Sequence, residues 1–377
     1  MMDSAPASNI QTLTLANGLE LRVQPAAGRQ AVALALWWRA GRVDEGAHED
    51  GAAHLLEHLV CEVLDPAALA RWGGLFNGQS GREWTVWHGL VPARFAPEVL
   101  RALVQALLAP LPSAAVMARE ARVLSQEIRL AATADAWESL ALCARFGDHP
   151  LSRPLAVVPT IDPAGLAAFR QRLLGGPRLR ITAAGDVDLA ALVAAAEPLG
   201  QLPVAAPEPV ILPSAPAQRC DARLPEAAGA GALWLLPFES TASEAVSWLA
   251  DLLAHPLLGR LSRGLREGSA PLYGLDSRLE WVGGRGLWWL RIDDACATQI
   301  LESGMERALA GGFTNAECAR VESLRRARCT LQTEDLMGRL ERLAGLQPEQ
   351  GVRPPTADAL NAALAACWGR RCLLRAG

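Results

Sequence analysis

Gly51-Ala-Ala-His54-Leu-Leu-Glu57-His58-Leu59 is the most informative stretch of this 377-residue chain. Ala and Leu favour a helix, and the apolar spacing predicts one over Gly51–Cys61. His54 and His58 are four positions apart, so on a helix their imidazoles lie on one face. Two nitrogens so placed reach a single Zn²⁺ at about 2.0–2.1 Å. Glu57 immediately precedes the second His, where a carboxylate can take a proton from water polarised by such a cation. H-x-x-E-H is rare by chance in a chain with only six His: His48, His54, His58, His88, His149 and His255. A catalytic zinc also needs a third protein ligand and an open position. Glu120 and Glu127 are the candidates. They stand seven positions apart and share a face of a helix predicted from Ser113 through Leu130, with Val123, Leu124 and Ile128 as its core-facing stripe.

Around this centre the chain reads as alternating strands and helices. Leu13–Leu15 and Leu19–Val23 flank Asn17-Gly18, a favoured tight-turn pair. Ala31–Trp38 and Glu83–Leu90 are β-prone, and Pro66–Trp72 and Phe95–Leu108 read as helices. A strand near Leu179–Ala183 and a helix near Leu189–Ala196 follow. Proline is too dense between Gln201 and Gln218 for helix interior, so the stretch reads as a stiff linker. It predicts a domain over 1–203, a linker over 204–218 and a second domain over 219–377. In the second domain, Ala232–Pro237 reads as a strand and Ala242–His255 as a helix. Leu272–Trp281 and Leu287–Ile292 form a hairpin about Gly283-Gly284, and helices follow at Gln299–Ala310 and Asn315–Arg328. Arg178–Gly185 (RLRITAAG) rhymes with Arg370–Gly377 (RRCLLRAG). The rhyme suggests two tandem, related α+β domains, each a mixed, mostly antiparallel sheet covered by helices.

Composition narrows the function. Hydrophobic residues make up 51% of the chain and charged residues 20%, enough apolar side chain for two cores. The net charge of −4 leaves no basic excess for nucleic acid. Neither a spanning segment nor a secretory signal is visible, so no membrane association is expected. Eight Cys without a C-x-x-C suit buried thiols in a reducing cytoplasm. All 36 basic residues are Arg, which removes lysine-based nucleophiles and the P-loop lysine. Cys61 reads as a buried helix thiol. Of the pairs Trp37/Trp38 and Trp288/Trp289, one member each can pack inward while the other covers an inter-domain or dimer surface.

H-x-x-E-H is the inverted zinc-peptidase signature, and the chain resembles the pitrilysin/insulinase family of zinc metallopeptidases, which includes the mitochondrial processing peptidases. The resemblance runs from LANGLELRV through WWRAGRVDE, GAAHLLEHL and WGGLFNGQSGREWTVW to the helix carrying Glu120 and Glu127. It implies that His54, His58 and Glu127 bind Zn²⁺, that Glu57 is the general base, and that Glu120 orients a ligand. In the second half, LLGRLSRGLREGSAPLYGLDS is similar to the family's substrate-binding stretch. There Arg266 and Tyr273, the only tyrosine, would stabilise the substrate carbonyl and its developing negative charge. The segment between His58 and Gly73-Gly74 is shorter than usual for the family, and Trp84 and Trp87 replace its Tyr or Phe positions.

The resemblance implies a zinc-dependent endopeptidase acting on small unfolded or precursor peptides, and the shortened segment after His58 suits a dedicated peptide-maturation role. The peptide would bind extended against a sheet edge at Asn77, Gly78, Gln79 and Ser80. One chain is half the family's clam, which implies a homodimer or a heterodimer with a paralogous subunit. The alternative within the same fold is a non-catalytic assembly subunit. A lyase family that also carries H-x-x-E-H has much shorter chains and a Cys as third ligand.

Overall fold

The computed structural model describes residues 9–208, 210, 220–224, 231–267, 274–292, 297–346 and 351–376. The expected Pro-rich linker lies largely outside them, as does Tyr273. Two compact units divide the chain.

Unit 1 is built on a six-stranded sheet. Its strands are β1 (Gln11–Thr14), β2 (Glu20–Pro25), β3 (Ala31–Trp38), β4 (Leu75–Ser80), β5 (Thr85–Pro92) and β6 (Leu179–Gly185), ordered β1-β2-β6-β3-β5-β4. Only β2 and β6 pair in parallel. The hairpin at Asn17-Gly18 forms as expected, with Gly18 at φ 89°. Central β3 is apolar along its whole length and is buried on both faces. One face packs under α1 (Ala52–Glu62), α3 (Ala96–Leu108), α5 (Pro163–Leu173), α6 (Leu189–Gly200) and the first part of α4 (Ala114–Phe146), while the short α2 (Pro66–Trp72) follows α1.

The other face is closed from far along the chain. Leu336, Leu340 and Leu343 of a helix at Leu336–Ala344 pack on Ala33, Ala35, Trp37, Val86 and Ala184. Arg22 and Arg180, both paired with Glu20, donate to the carbonyls of Leu343 and Ala344 at that helix's C-terminus. Trp38 is thus in one core and Trp37 in the other.

Unit 2 repeats the plan. Its strands are β7 (Cys220–Leu224), β8 (Ala232–Phe238), β9 (Leu275–Val282), β10 (Arg285–Ile292) and β11 (Cys372–Ala376), ordered β7-β11-β8-β10-β9. Only β7 and β11 pair in parallel. This is the order β2-β6-β3-β5-β4 of unit 1, so the rhyming segments are corresponding strands, β6 and β11. The helices of the second half are α7 (Ser243–Ala254), α8 (Arg260–Glu267), α9 (Ala297–Gly311), α10 (Asn315–Glu334), α11 (Leu336–Ala344, the cover of unit 1) and α12 (Ala357–Gly369).

Three differences from the expectations have physical reasons. The units do not follow linear boundaries, because unit 1 takes Gln332–Leu346 and unit 2 takes Ala132–Pro154. The sheet of unit 1 has two apolar faces, and the second half of the chain supplies the cover of one of them. Helix α4 runs on to Phe146 rather than ending near Leu130, since nothing in Ala131–Phe146 breaks a helix. Its buried stripe is Met117, Leu124 and Ile128, while Val123 is 41% exposed. No helix among the described residues is long and apolar enough to cross a membrane.

Candidate metal centre

Helix α1 is pinned before any metal is considered. Its first residues lack backbone acceptors, and the buried Glu45 supplies them. The Glu45 carboxylate accepts from Gly51 N at 2.9 Å and Ala53 N at 3.0 Å, and Arg42 pairs with it. Burial pushes the Glu45 carboxyl up, against the pull of these partners. Gly51 sits at φ 76°, and a Cβ there would lie 3.0 Å from Pro159. Further along, the Trp87 indole of β5 donates to the Glu57 carbonyl at 3.1 Å. Leu55, Leu56, Leu59 and Val60 face the core, which turns His54, Glu57, His58 and Cys61 toward a cleft.

The cleft, about 490 Å³, is floored by α1, walled on one side by edge strand β4 and on the other by α4. His54, Glu57 and His58 each bring a donor atom within 4.8 Å of the others, one group of three metal-ligating side chains found among the described residues. Glu127 reaches the same point from α4. Its Oε2 lies 3.8 Å from His54 Nε2 and 3.5 Å from His58 Nε2. Two donors about 2.05 Å from a tetrahedral centre stand about 3.3 Å apart, so these spacings fit one zinc ion between the three side chains. Glu120 Oε2 is 3.5 Å from His58 Nδ1. With its proton on Nδ1, His58 donates to Glu120 and leaves Nε2 to a cation.

Electrostatics separates the two carboxylates nearest the imidazoles. Glu57 is 6% exposed, and burial pushes its carboxyl up to about 7, with the neighbouring Glu127 adding to the rise. The Glu127 side chain is 51% exposed. Burial, together with His58, pushes His54 down to about 4, so it is a neutral donor at pH 7. Cys61 is half-buried on the cleft wall, and burial pushes its thiol up to about 12.

On the opposite wall, Asn77, Gly78, Gln79 and Ser80 of β4 line the cleft. A Cβ at Gly78 would fall 2.9 Å from Glu57 Cδ, so only glycine lets the strand lie against that carboxylate. The Gly78 N–H is taken by the Asn77 side-chain oxygen at 3.0 Å. Strand β4 pairs with β5 on one side and, among the described residues, has no strand on the other.

The structure therefore brings His54, Glu57, His58, Glu120, Glu127 and Asn77–Ser80 together. Arg266 lies half-buried on α8 of unit 2, and Tyr273 is outside the described residues. Sequence reasoning gave no role to Glu45 or to the Trp87 indole. Glu45 carried a signal, a carboxylate shortly before a helix whose first turn holds no acid or capping side chain.

The model of the insulinase family, peptidase family M16, matches residues 23–157. An uncharacterized zinc protease of Mycobacterium tuberculosis is 27% identical, covering 90% of this chain and 84% of its own. Among solved structures, a protease from Helicobacter pylori superposes with a TM-score of 0.84 at 14% identity, covering 98% of this chain and 99% of that one. A peptidase M16 inactive domain from Pseudomonas fluorescens gives 0.78 at 18% identity, covering 98% of each. At such identities these two likenesses carry the fold alone.

Proposed function

Because the chain belongs to the pitrilysin/insulinase family, we propose that it is a zinc-dependent endopeptidase cleaving small unfolded or precursor peptides. The observation that carries this reading is the meeting of His54, His58 and Glu127 at zinc-ligand spacing beside a buried Glu57. Zinc, when bound, polarises a peptide carbonyl and lowers the pKa of water. Glu57 is the proton acceptor. Its carboxyl, near 7 in the metal-free protein, holds or releases a proton at neutral pH and can pass it to the leaving amine. Glu120 keeps His58 in its orientation. Edge strand β4 takes the peptide as an added strand, and the Gly78 N–H passes from Asn77 to the substrate backbone. Main-chain pairing reads extension rather than sequence, which suits unfolded peptides. Arg266 and Tyr273 are assigned to the substrate carbonyl on the resemblance alone.

We place the reaction in the cytoplasm, where six free thiols among the described residues persist. The working form is a dimer with a second such chain or a paralogue.

The alternative is a non-catalytic subunit of the same fold, such as the inactive domain that this chain resembles in fold. The complete set of His54, Glu57, His58 and Glu127 argues against it. Digestion of a peptide library decides between them. Cleavage by the wild type that stops with chelator, and is absent in Glu57→Gln, is expected. No cleavage by zinc-loaded wild type would leave the non-catalytic reading.

A further inference from the structure

Four carboxylates, Glu57, Glu62, Glu120 and Glu127, line the metal cleft. Glu120 is 8% exposed, too buried for water alone to support its charge. Among the described residues one arginine reaches these groups, Arg119. Its Nε donates to Glu120 Oε1 at 3.0 Å, while its Nη2 pairs with Glu62 on α1. The other oxygen of Glu120 meets His58 Nδ1. The result is a chain, Glu62–Arg119–Glu120–His58, that starts and ends on α1 and crosses α4 in the middle. A planar guanidinium fixes two carboxylates in a way a point charge does not.

The Arg119 side chain is 48% exposed. Exposed ion pairs contribute little to stability, so the value of this contact is geometric. We propose that Arg119 is a positioning residue for the metal centre. By holding one oxygen of Glu120, it keeps the other on His58 Nδ1, so that His58 Nε2 stays turned to Glu127. It also keeps the Glu120 carboxylate from swinging in among the metal ligands. The inference rests on the zinc reading above and adds a residue that acts on the metal only through Glu120.

The test is zinc affinity, measured on the whole metal-free protein by competition with a chromophoric chelator. Partners that orient a ligating His typically contribute about 10- to 100-fold in affinity. Glu120→Gln is expected to weaken binding within that range and Arg119→Ala about tenfold. The Arg119→Ala/Glu120→Gln double variant is expected to bind no more weakly than Glu120→Gln alone. Glu62→Gln, which frees the other arm of the fork, should weaken binding several-fold. It provides the same readout if Arg119→Ala does not fold. The unfolding midpoint of metal-free Arg119→Ala should match the wild type, which a merely structural role would not allow. Affinity within twofold of wild type, or single effects that multiply in the double variant, overturns the role of Arg119 and leaves the zinc reading intact. A wild type that binds no zinc overturns both.

Discussion

Glu57 concentrates the chemistry at the residue scale, and its proton affinity makes a prediction without substrate. A carboxyl of ordinary value 4.5 raised to about 7 holds its proton longer in the folded state than in the unfolded chain. Its contribution to stability is therefore present below pH 4.5 and lost as the pH rises toward 7. At 1.36 kcal/mol per unit the loss is roughly 3 kcal/mol. His54, lowered from 6.5 to about 4, works the other way, its contribution being lost as the pH falls below 6.5. The difference between wild type and Glu57→Gln isolates the carboxyl. Metal-free Glu57→Gln should match the wild type near pH 4.5 and exceed it by roughly 2–3 kcal/mol at pH 8. Denaturant titration at the two pH values checks this, and equal differences at both would contradict it. Zinc-loaded Glu57→Gln should keep its metal and lose at least about 10²-fold in turnover. Gly78→Ala should also lose turnover while retaining zinc, because its Cβ displaces the Glu57 carboxylate. Turnover and metal content measured on one preparation test that split. The motif made His54, Glu57 and His58 legible from spacing alone. Choosing between Glu120 and Glu127 needed the resemblance, because residues seven apart share a helical face.

At the scale of elements, the legible parts were those with a strong local period. Strands β3 and β5 and helices α1, α2 and α3 fall within one or two residues of their expected places. The capping of α1 was overlooked despite its signal, because the acceptor side chain stands six and eight positions before the N–H groups it caps. Glu45→Ala takes the acceptor from two buried backbone N–H groups and one carboxylate from Arg42, which keeps its pair with Asp50. A loss of about 3 kcal/mol of folding stability is expected, with weakened zinc binding, since α1 carries both imidazoles. Stability within 1 kcal/mol of the wild type, by the order-of-magnitude reckoning for surface changes, would show that Glu45 does not cap the helix. The cover helix α11 was missed for a related reason. Its apolar positions Leu336, Leu340 and Leu343 are too few to stand out, and its partner face lies some 150 to 300 positions away.

At the scale of the molecule, the likeness of the two sheets was visible only as the rhyme of β6 with β11. The strand order shared by both units emerges from pairings that join positions as far apart as Glu20 and Arg180, or Cys220 and Cys372, which no local pattern encodes. The exchange of segments makes a prediction about dissection. A fragment of residues 1–208 lacks α11 and bares Trp37, Val86 and the alanines beside them. It should be aggregation-prone or bind a hydrophobic dye, and a separately supplied helix spanning 332–346 should lessen this. A stable, dye-silent, monomeric 1–208 would contradict the role given to α11.

The central claim is that one zinc ion is gripped by two imidazoles of α1 and a carboxylate of α4. Anomalous diffraction at the zinc edge, from crystals of the zinc-loaded Glu57→Gln protein, reads this directly. A single peak about 2.0–2.1 Å from His54 Nε2, His58 Nε2 and a Glu127 oxygen is predicted. A zinc ion bound elsewhere, or one at the two histidines with Glu127 beyond bonding distance, would contradict it.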